Sequence, residues 1–257
     1  MLRFLCPDVT LAARQHAMAA YPHESCGGVT EDGYIAFRNV AGEPEKHFDC
    51  SEEMAPVYTA GRLLALIHSH PDGPLAPSPH DIAQQMAMDI PWGIVAATAN
   101  AALDPYFWGE SIEPPPLEGR DFRYGPSGTD GRGDCAAIVR DWYRIHRDIR
   151  LPEFPREDGF WKAGVDFYRR SMHEAGFARV LIPLSVEPQI GDVALLRLRS
   201  PAEPNHAAVY VGGGLILHHF QNRLSKTDPI LRWRDHITDW FRHDRVLAAA
   251  TKHGHGA

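Results

Sequence analysis

The sequence is poor in cysteine, has no long apolar run and carries no excess of positive charge. Its 4 cysteines, Cys6, Cys26, Cys50 and Cys135, are spread over 257 residues without a C-x-x-C pair. A disulfide-stapled scaffold is excluded, and synthesis in a reducing compartment is the simplest expectation. No apolar stretch approaches the roughly 18 residues that a membrane span needs, so no membrane insertion is expected. The N-terminal apolar stretch is broken by Pro7 and Asp8, too early for a secretion signal. Lys and Arg total 26 against 33 Asp and Glu, a net charge of -7. A nucleic-acid footprint normally shows as a basic domain or stripe, so no nucleic-acid partner is expected. No internal repeat is visible. With 44% apolar and 23% charged residues, wholesale disorder is also excluded.

Histidine is plentiful, with 15 residues, but position matters more than number. His253 and His255 lie in a small, polar C-terminal stretch and read as solvated. The clearest boundary is GESIEPPPLEG, whose triplet Pro114–Pro116 favours a stiff, extended spacer. The expected organisation is a first domain over 1–110, a linker over 111–119 and a second domain over 120–257.

In the first domain a helix is expected over Thr10–Tyr21, with Leu11, Ala12 and Met18 inward. A hairpin, Gly27–Val29 and Tyr34–Val40, turns at Asp32-Gly33. A helix over Glu52–Leu64 and a buried strand over Leu64–His68 follow. Next come a helix over Pro79–Asp89 capped by Ser78, and strands over Trp92–Thr98 and Asp104–Trp108. In the second domain, Asp134–Arg147 has helical periodicity with Ile138, Val139, Trp142 and Ile145 on one side. A helix over Phe160–Ala175 precedes strands over Gly191–Leu198, His206–Val211 and Leu215–His219. The class is α+β in two domains.

The segment Ile67–Asp81 reads IHSHPDGPLAPSPHD. A period of two puts His68 and His70 on one face of a strand. Asp81 sits one turn into the helix that Ser78 caps. Two imidazoles and a carboxylate supply three zinc ligands and leave a fourth position for water, whose pKa then falls to about 7. Glu24, in PHESCGG, is a candidate proton shuttle, although spacing alone does not bring it to the metal. His47 and His80 read as surface residues, and Cys26 as core.

H-x-H-x7-S-x-x-D with an upstream Glu resembles the JAMM (MPN, Mov34/PAD-1) metallopeptidase motif, and the resemblance covers roughly the first 110 residues. It implies a β-sheet with flanking helices and hydrolysis of peptide or isopeptide bonds. It also implies zinc held by His68, His70 and Asp81, Glu24 as general acid/base, and Ser78 steadying the tetrahedral intermediate.

The second constellation is Cys135, His206 and His218. Cys135 opens a helix, where the dipole and a nearby imidazole are expected to lower its pKa. His206 and His218 fall on adjacent strands, expected on the helix-facing side, and a Cys–His pair with a third orienting group is the recipe for an activated thiolate. The RYG stretch, DCAAIVR, the G-D-V segment and HAAVYVG are similar to NlpC/P60 cysteine peptidases over about 120–225. That resemblance implies a papain-like fold, Cys135 as nucleophile, His206 as base, His218 as the orienting residue and Tyr124 near the oxyanion. It also implies cleavage of the D-γ-glutamyl–diaminopimelate bond of peptidoglycan stem peptides. The usual D-C-S-G reads Asp134-Cys135-Ala136-Ala137 here, which removes no catalytic group. Arg150–Pro183 is longer than a minimal core needs, long enough to add a lid or a substrate wall. His219 is an alternative third residue, and spacing favours His218.

A JAMM-like domain followed by an NlpC/P60-like one is similar to a tail tip assembly family of lambda-like phages and prophages. It implies other tail tip proteins as partners, synthesis in the host cytoplasm and a place at the tail tip or in the virion. Two other readings remain open: an assembly factor with dispensable catalysis, and a bacterial isopeptidase unrelated to phage.

Overall fold

Gly33 adopts a positive φ of 131°, which the tight hairpin turn requires, and sets β1 (Cys26–Thr30) against β2 (Gly33–Phe37). The computed structural model describes residues 2–246 except 110, 157–158, 160–165, 184 and 199–201. The described chain divides into two units, Met1–Glu113 with Gly128–Asp130, and Pro114–Ser127 with Gly131 onward.

The first unit holds a five-stranded sheet in the order β2-β1-β3-β4-β5, with β3 at Ala65–Pro71, β4 at Trp92–Ala97 and β5 at Tyr106–Trp108. β3 and β4 are parallel, joined by the crossover helix α3 (Pro79–Met88); the other pairs are antiparallel. Helix α1 (Pro7–Ala20) covers one face, and α2 (Ser51–Thr59) contributes Met54 and Val57 to the other. The expected inward face of α1 is corrected. Val9, Ala13 and Ala17 are buried, whereas Leu11 and Met18 are 53% and 42% exposed. The small alanines let the helix approach Val29, Ile67 and Val95 closely, a gain that large side chains would forfeit. Helix α2 is also shorter than expected, because the chain turns at Gly61 with a positive φ.

The second unit packs α4 (Cys135–Arg147) and α5 (Phe167–Glu174) on a six-stranded antiparallel sheet. Its strands are β6 (Phe177–Val180), β7 (Val193–Leu196), β8 (His206–Gly212), β9 (Leu215–His218), β10 (Lys226–Pro229) and β11 (Ile237–His243), in the order β10-β9-β8-β7-β11-β6. Three of these six, β7, β8 and β9, are the strands expected from sequence. Helix α4 buries Ile138, Val139, Trp142 and Tyr143, while Ile145 is 49% exposed rather than inward. The expected helix from Phe160 begins at Phe167, capped by Asp166; 160–165 lie outside the described residues, as do His253 and His255. The prolines of the expected linker lie at the start of the second unit, where Arg120 donates to the carbonyls of Pro115 (2.5 Å) and Pro116 (2.7 Å).

Candidate active sites

In the first unit the β1–β3 ladder builds the site. Its register pairs Cys26 with His68 and Gly27 with Ile67. Carried two residues further, it sets Glu24 opposite His70, on the same face as both imidazoles. Two bonds hold this continuation. Ser69 N–H donates to the Ser25 carbonyl (3.0 Å), and Ser25 N–H donates to Ser69 Oγ (2.8 Å). Glu24 N–H donates to the Pro44 carbonyl (2.6 Å), and Asn39 Nδ2 donates to the Glu24 carbonyl (2.9 Å).

Asp81 arrives from the other side. Ser78 and Asp81 form a reciprocal cap: Asp81 N–H donates to Ser78 Oγ (3.2 Å) and Ser78 N–H to Asp81 Oδ2 (2.7 Å). Ser78 therefore holds the first turn that carries Asp81. His47 and His80 are exposed, and Cys26 is buried beside Cys50, as read.

His68 Nε2 lies 3.1 Å from His70 Nε2, and the Asp81 carboxylate oxygens lie 3.4 Å from each ring. A tetrahedral zinc with bonds of about 2.0–2.1 Å has ligand–ligand edges of about 3.3–3.4 Å, so the donor set has the size of a zinc site. His70 Nδ1 faces the Pro74 carbonyl at 3.0 Å, which only accepts, leaving Nε2 as the lone pair that points at His68. Phe48 stacks on His68, ring centroids 4.7 Å apart, and fixes its plane. Burial pushes His68 below the usual imidazole range. Burial also opposes charge on His70 and Asp81, yet Asp81 lifts His70, and His68 and then His70 hold Asp81 far below the carboxylate range. Burial raises Glu24 to about 7, with His70 pulling the other way.

In the second unit Asp134 caps α4, accepting from Ala137 N–H at 2.9 Å, and this presents Cys135 at the first helical position. Cys135, His206, Tyr124 and His219 line one cavity of about 60 Å³. Period-two alternation places His206 with Ala208 and Tyr210, and His218 with Ile216, on the face away from α4. The expectation of a helix-facing pair is thus corrected. His206 and Cys135 line the same cavity because each is the first residue of its element, and the Ala207 backbone N–H favours the thiolate.

Three neighbouring strands carry a polar row. His206 Nε2 lies 3.2 Å from His218 Nδ1, and His218 Nε2 lies 3.3 Å from Asp228 Oδ2 on β10. Phe220 stacks on His206 with centroids 4.5 Å apart. His219 instead contacts the Arg223 carbonyl at 3.1 Å. Burial and then His218 hold His206 well below the usual imidazole range, so the ring is neutral. Burial opposes charge on Asp228, but Lys226 and His218 keep it ionised.

Asp228, Tyr168 and Arg156 join this site without any sequence motif that marks them. Tyr168 Oη lies 3.0 Å from Cys135 Sγ. Arg156 grips Asp134 through two donors at 2.6 and 2.8 Å, and pairs with Glu153. The thiol also departs from expectation: burial, followed by the Asp134 charge, pushes Cys135 up to about 11. Desolvation outweighs the helix terminus here.

The pattern described as prokaryotic homologs of the JAB domain matches residues 7–108, and that of the NlpC/P60 family matches 119–241. The chain thus joins a JAB-type domain to an NlpC/P60 domain. It belongs to the tail tip assembly protein K family. Tail tip assembly protein K of Escherichia phage N15 is 32% identical over 232 residues, covering 85% of this chain and 86% of the relative. Its counterpart in Escherichia phage lambda is 34% identical over 191 residues, covering 74% and 86%. NlpC1 from Trichomonas vaginalis, a solved structure, is 21% identical with a TM-score of 0.34, covering 49% of this chain and 39% of that one. Among the described residues no helix is long and apolar enough to cross a membrane.

Proposed function

We propose that this tail tip assembly protein carries two hydrolytic sites, and that the second unit cleaves the D-γ-glutamyl–diaminopimelate bond of peptidoglycan stem peptides. The observation that carries the reading is the row Cys135, His206, His218 and Asp228. Cys135 and His206 share one cavity, and His218 and Asp228 stand behind the imidazole in hydrogen-bond order. With Nε2 engaged by His218, Nδ1 of His206 is the nitrogen left to take the thiol proton. The thiolate attacks the scissile carbonyl, and the imidazolium returns that proton to the departing amine. Water then hydrolyses the thioester. Asp228 keeps His218 oriented and favours positive charge along the row.

In the first unit His68, His70 and Asp81 would hold zinc, which when bound supplies Lewis-acid polarisation and water activation. Glu24 is suited to take a proton from the nucleophile and return it to the leaving group, because its pKa near 7 serves both states. Ser78 is the residue proposed to steady the tetrahedral intermediate, and Tyr124 the one beside the oxyanion in the second unit. Other tail tip proteins are the proposed assembly partners, with synthesis in the host cytoplasm and a place at the tail tip.

The test is hydrolysis of purified stem peptides by the full chain. Cleavage that survives chelation but is lost in Cys135→Ala supports the cysteine site. Absence of cleavage, with tail assembly intact in Cys135→Ala and Glu24→Ala, overturns the enzymatic reading in favour of an assembly factor. Stoichiometric zinc in the wild type and its loss in His68→Ala test the metal site separately.

A further inference from the structure

Two buried polar side chains of the stretch that follows α4 converge on one dipeptide. Arg156 is 3% exposed and grips Asp134; Tyr168 is 4% exposed and touches the sulfur of Cys135. Asp134 and Cys135 are the cap and first residue of α4, so this segment grips the residue before the nucleophile and the nucleophile itself.

We infer that Tyr168 is a catalytic hydroxyl of the cysteine site, donating to the Cys135 sulfur and sustaining its thiolate. The inference rests on the reading of Cys135 as nucleophile. The Cys135 sulfur and Tyr168 oxygen are 3.0 Å apart, and either can donate when both are neutral. Once Cys135 gives its proton to His206, the sulfur only accepts, and Tyr168 keeps its own proton as donor. Burial, and then the Cys135 charge itself, hold the phenol well above its ordinary range, so it does not compete for ionisation.

The other charged and titratable groups around the sulfur are Asp134 on the helix cap, Arg156, His206 on β8, and Tyr124 and His219 along the cavity wall. The Asp134 charge opposes the thiolate and Arg156 offsets it. Among the described residues the Tyr168 hydroxyl is the side-chain donor within hydrogen-bond distance of the sulfur, and a substitution can remove it; the Ala207 backbone N–H also favours the thiolate. Arg156 acts through Asp134 and is a positioning residue.

The experiment is the rate of iodoacetamide alkylation of Cys135 in the full chain, followed by peptide mass spectrometry across pH, for wild type, Tyr168→Phe and His206→Ala. Tyr168→Phe keeps the packed ring and loses only the hydroxyl. The expected result is an alkylation midpoint raised by about one pH unit and a roughly tenfold slower reaction below both midpoints. An unchanged profile makes Tyr168 a packing residue and overturns the inference. Faster alkylation in Tyr168→Phe overturns it as well, because the hydroxyl would then be a shield. A wild-type Cys135 that resists alkylation at every pH overturns both this inference and the nucleophile reading. A reactive wild type whose profile ignores His206→Ala overturns the Cys–His pair alone.

Discussion

Glu24 stands opposite His70 in the continued β1–β3 ladder, so backbone register rather than chain proximity brings the acid to the His68, His70 and Asp81 cluster. Glu24 is not among the three side chains, His68, His70 and Asp81, whose ligand atoms converge closely enough to hold a metal ion. Glu24→Gln is therefore expected to keep wild-type zinc content and lose proteolysis by the first unit. Metal analysis beside a turnover assay checks this, and loss of zinc in the variant would show that Glu24 is a ligand.

The same carboxyl makes a prediction for the metal-free protein. Its folded pKa of about 7 lies above the ordinary 4.5. The fold thus retains a proton that the unfolded chain has released. This stabilising contribution is complete below about pH 4.5 and is lost as pH rises through about 7. Glu24→Gln stays neutral throughout. Its thermal midpoint relative to wild type should therefore rise between about pH 5 and about pH 8 in chelator. A difference that is flat or falls with pH would contradict the burial argument.

Ser78 caps the turn that carries Asp81. Ser78→Ala should cost about 1 kcal/mol of stability and weaken zinc retention roughly tenfold, as loss of a supporting contact does. Competition with a chromophoric chelator measures the second effect. Unchanged affinity would mean that β3 and the helix body hold Asp81 without the cap.

Arg156 is buried between Asp134 and Glu153. Arg156→Met leaves the buried Asp134 carboxylate without its cation, while Glu153 keeps Arg140, and should destabilise the second unit by about 3–5 kcal/mol. Urea denaturation reads this directly. A loss below about 1 kcal/mol would place the pair in the class of exposed salt bridges.

His206→Ala should reduce peptide hydrolysis by roughly 10²–10⁴, the contribution of a positioned general base. Asp228→Asn should reduce it less, since Asp228 acts through His218. Equal losses would mean that the row works as one unit.

The sequence was most legible where chemistry is local. His68, His70, Ser78 and Asp81 lie within fourteen residues, about a strand, a loop and a helix start, and their spacing alone specifies the cluster. Cys135 at a helix start and His206 at a strand start were equally readable. Glu24 needed the register of a ladder, which no local pattern encodes. Asp228 sits in KTDP, which has little strand propensity and pairs only because β9 offers an edge. Tyr168 meets Cys135, and Arg156 meets Asp134, through tertiary packing, from a segment with no motif of its own. The inward face of α1 was misread because large residues were preferred, whereas the sheet accepts the alanines. The thiol is raised rather than depressed, which was not legible because a helix end is visible in sequence and desolvation is not.

Gly128–Asp130 cluster with the first unit, although the residues on both sides belong to the second. Thr129 accepts from Phe107 N–H through its hydroxyl and donates its own N–H to the Phe107 carbonyl, each at 2.9 Å, which closes the outer edge of β5. A single cut in the proline-rich stretch therefore yields no clean halves. The released N-terminal fragment would expose β5 as a bare edge, open to pairing with another copy. Dissecting the two activities by truncation risks measuring aggregation, and point substitutions in the intact chain are the sounder route.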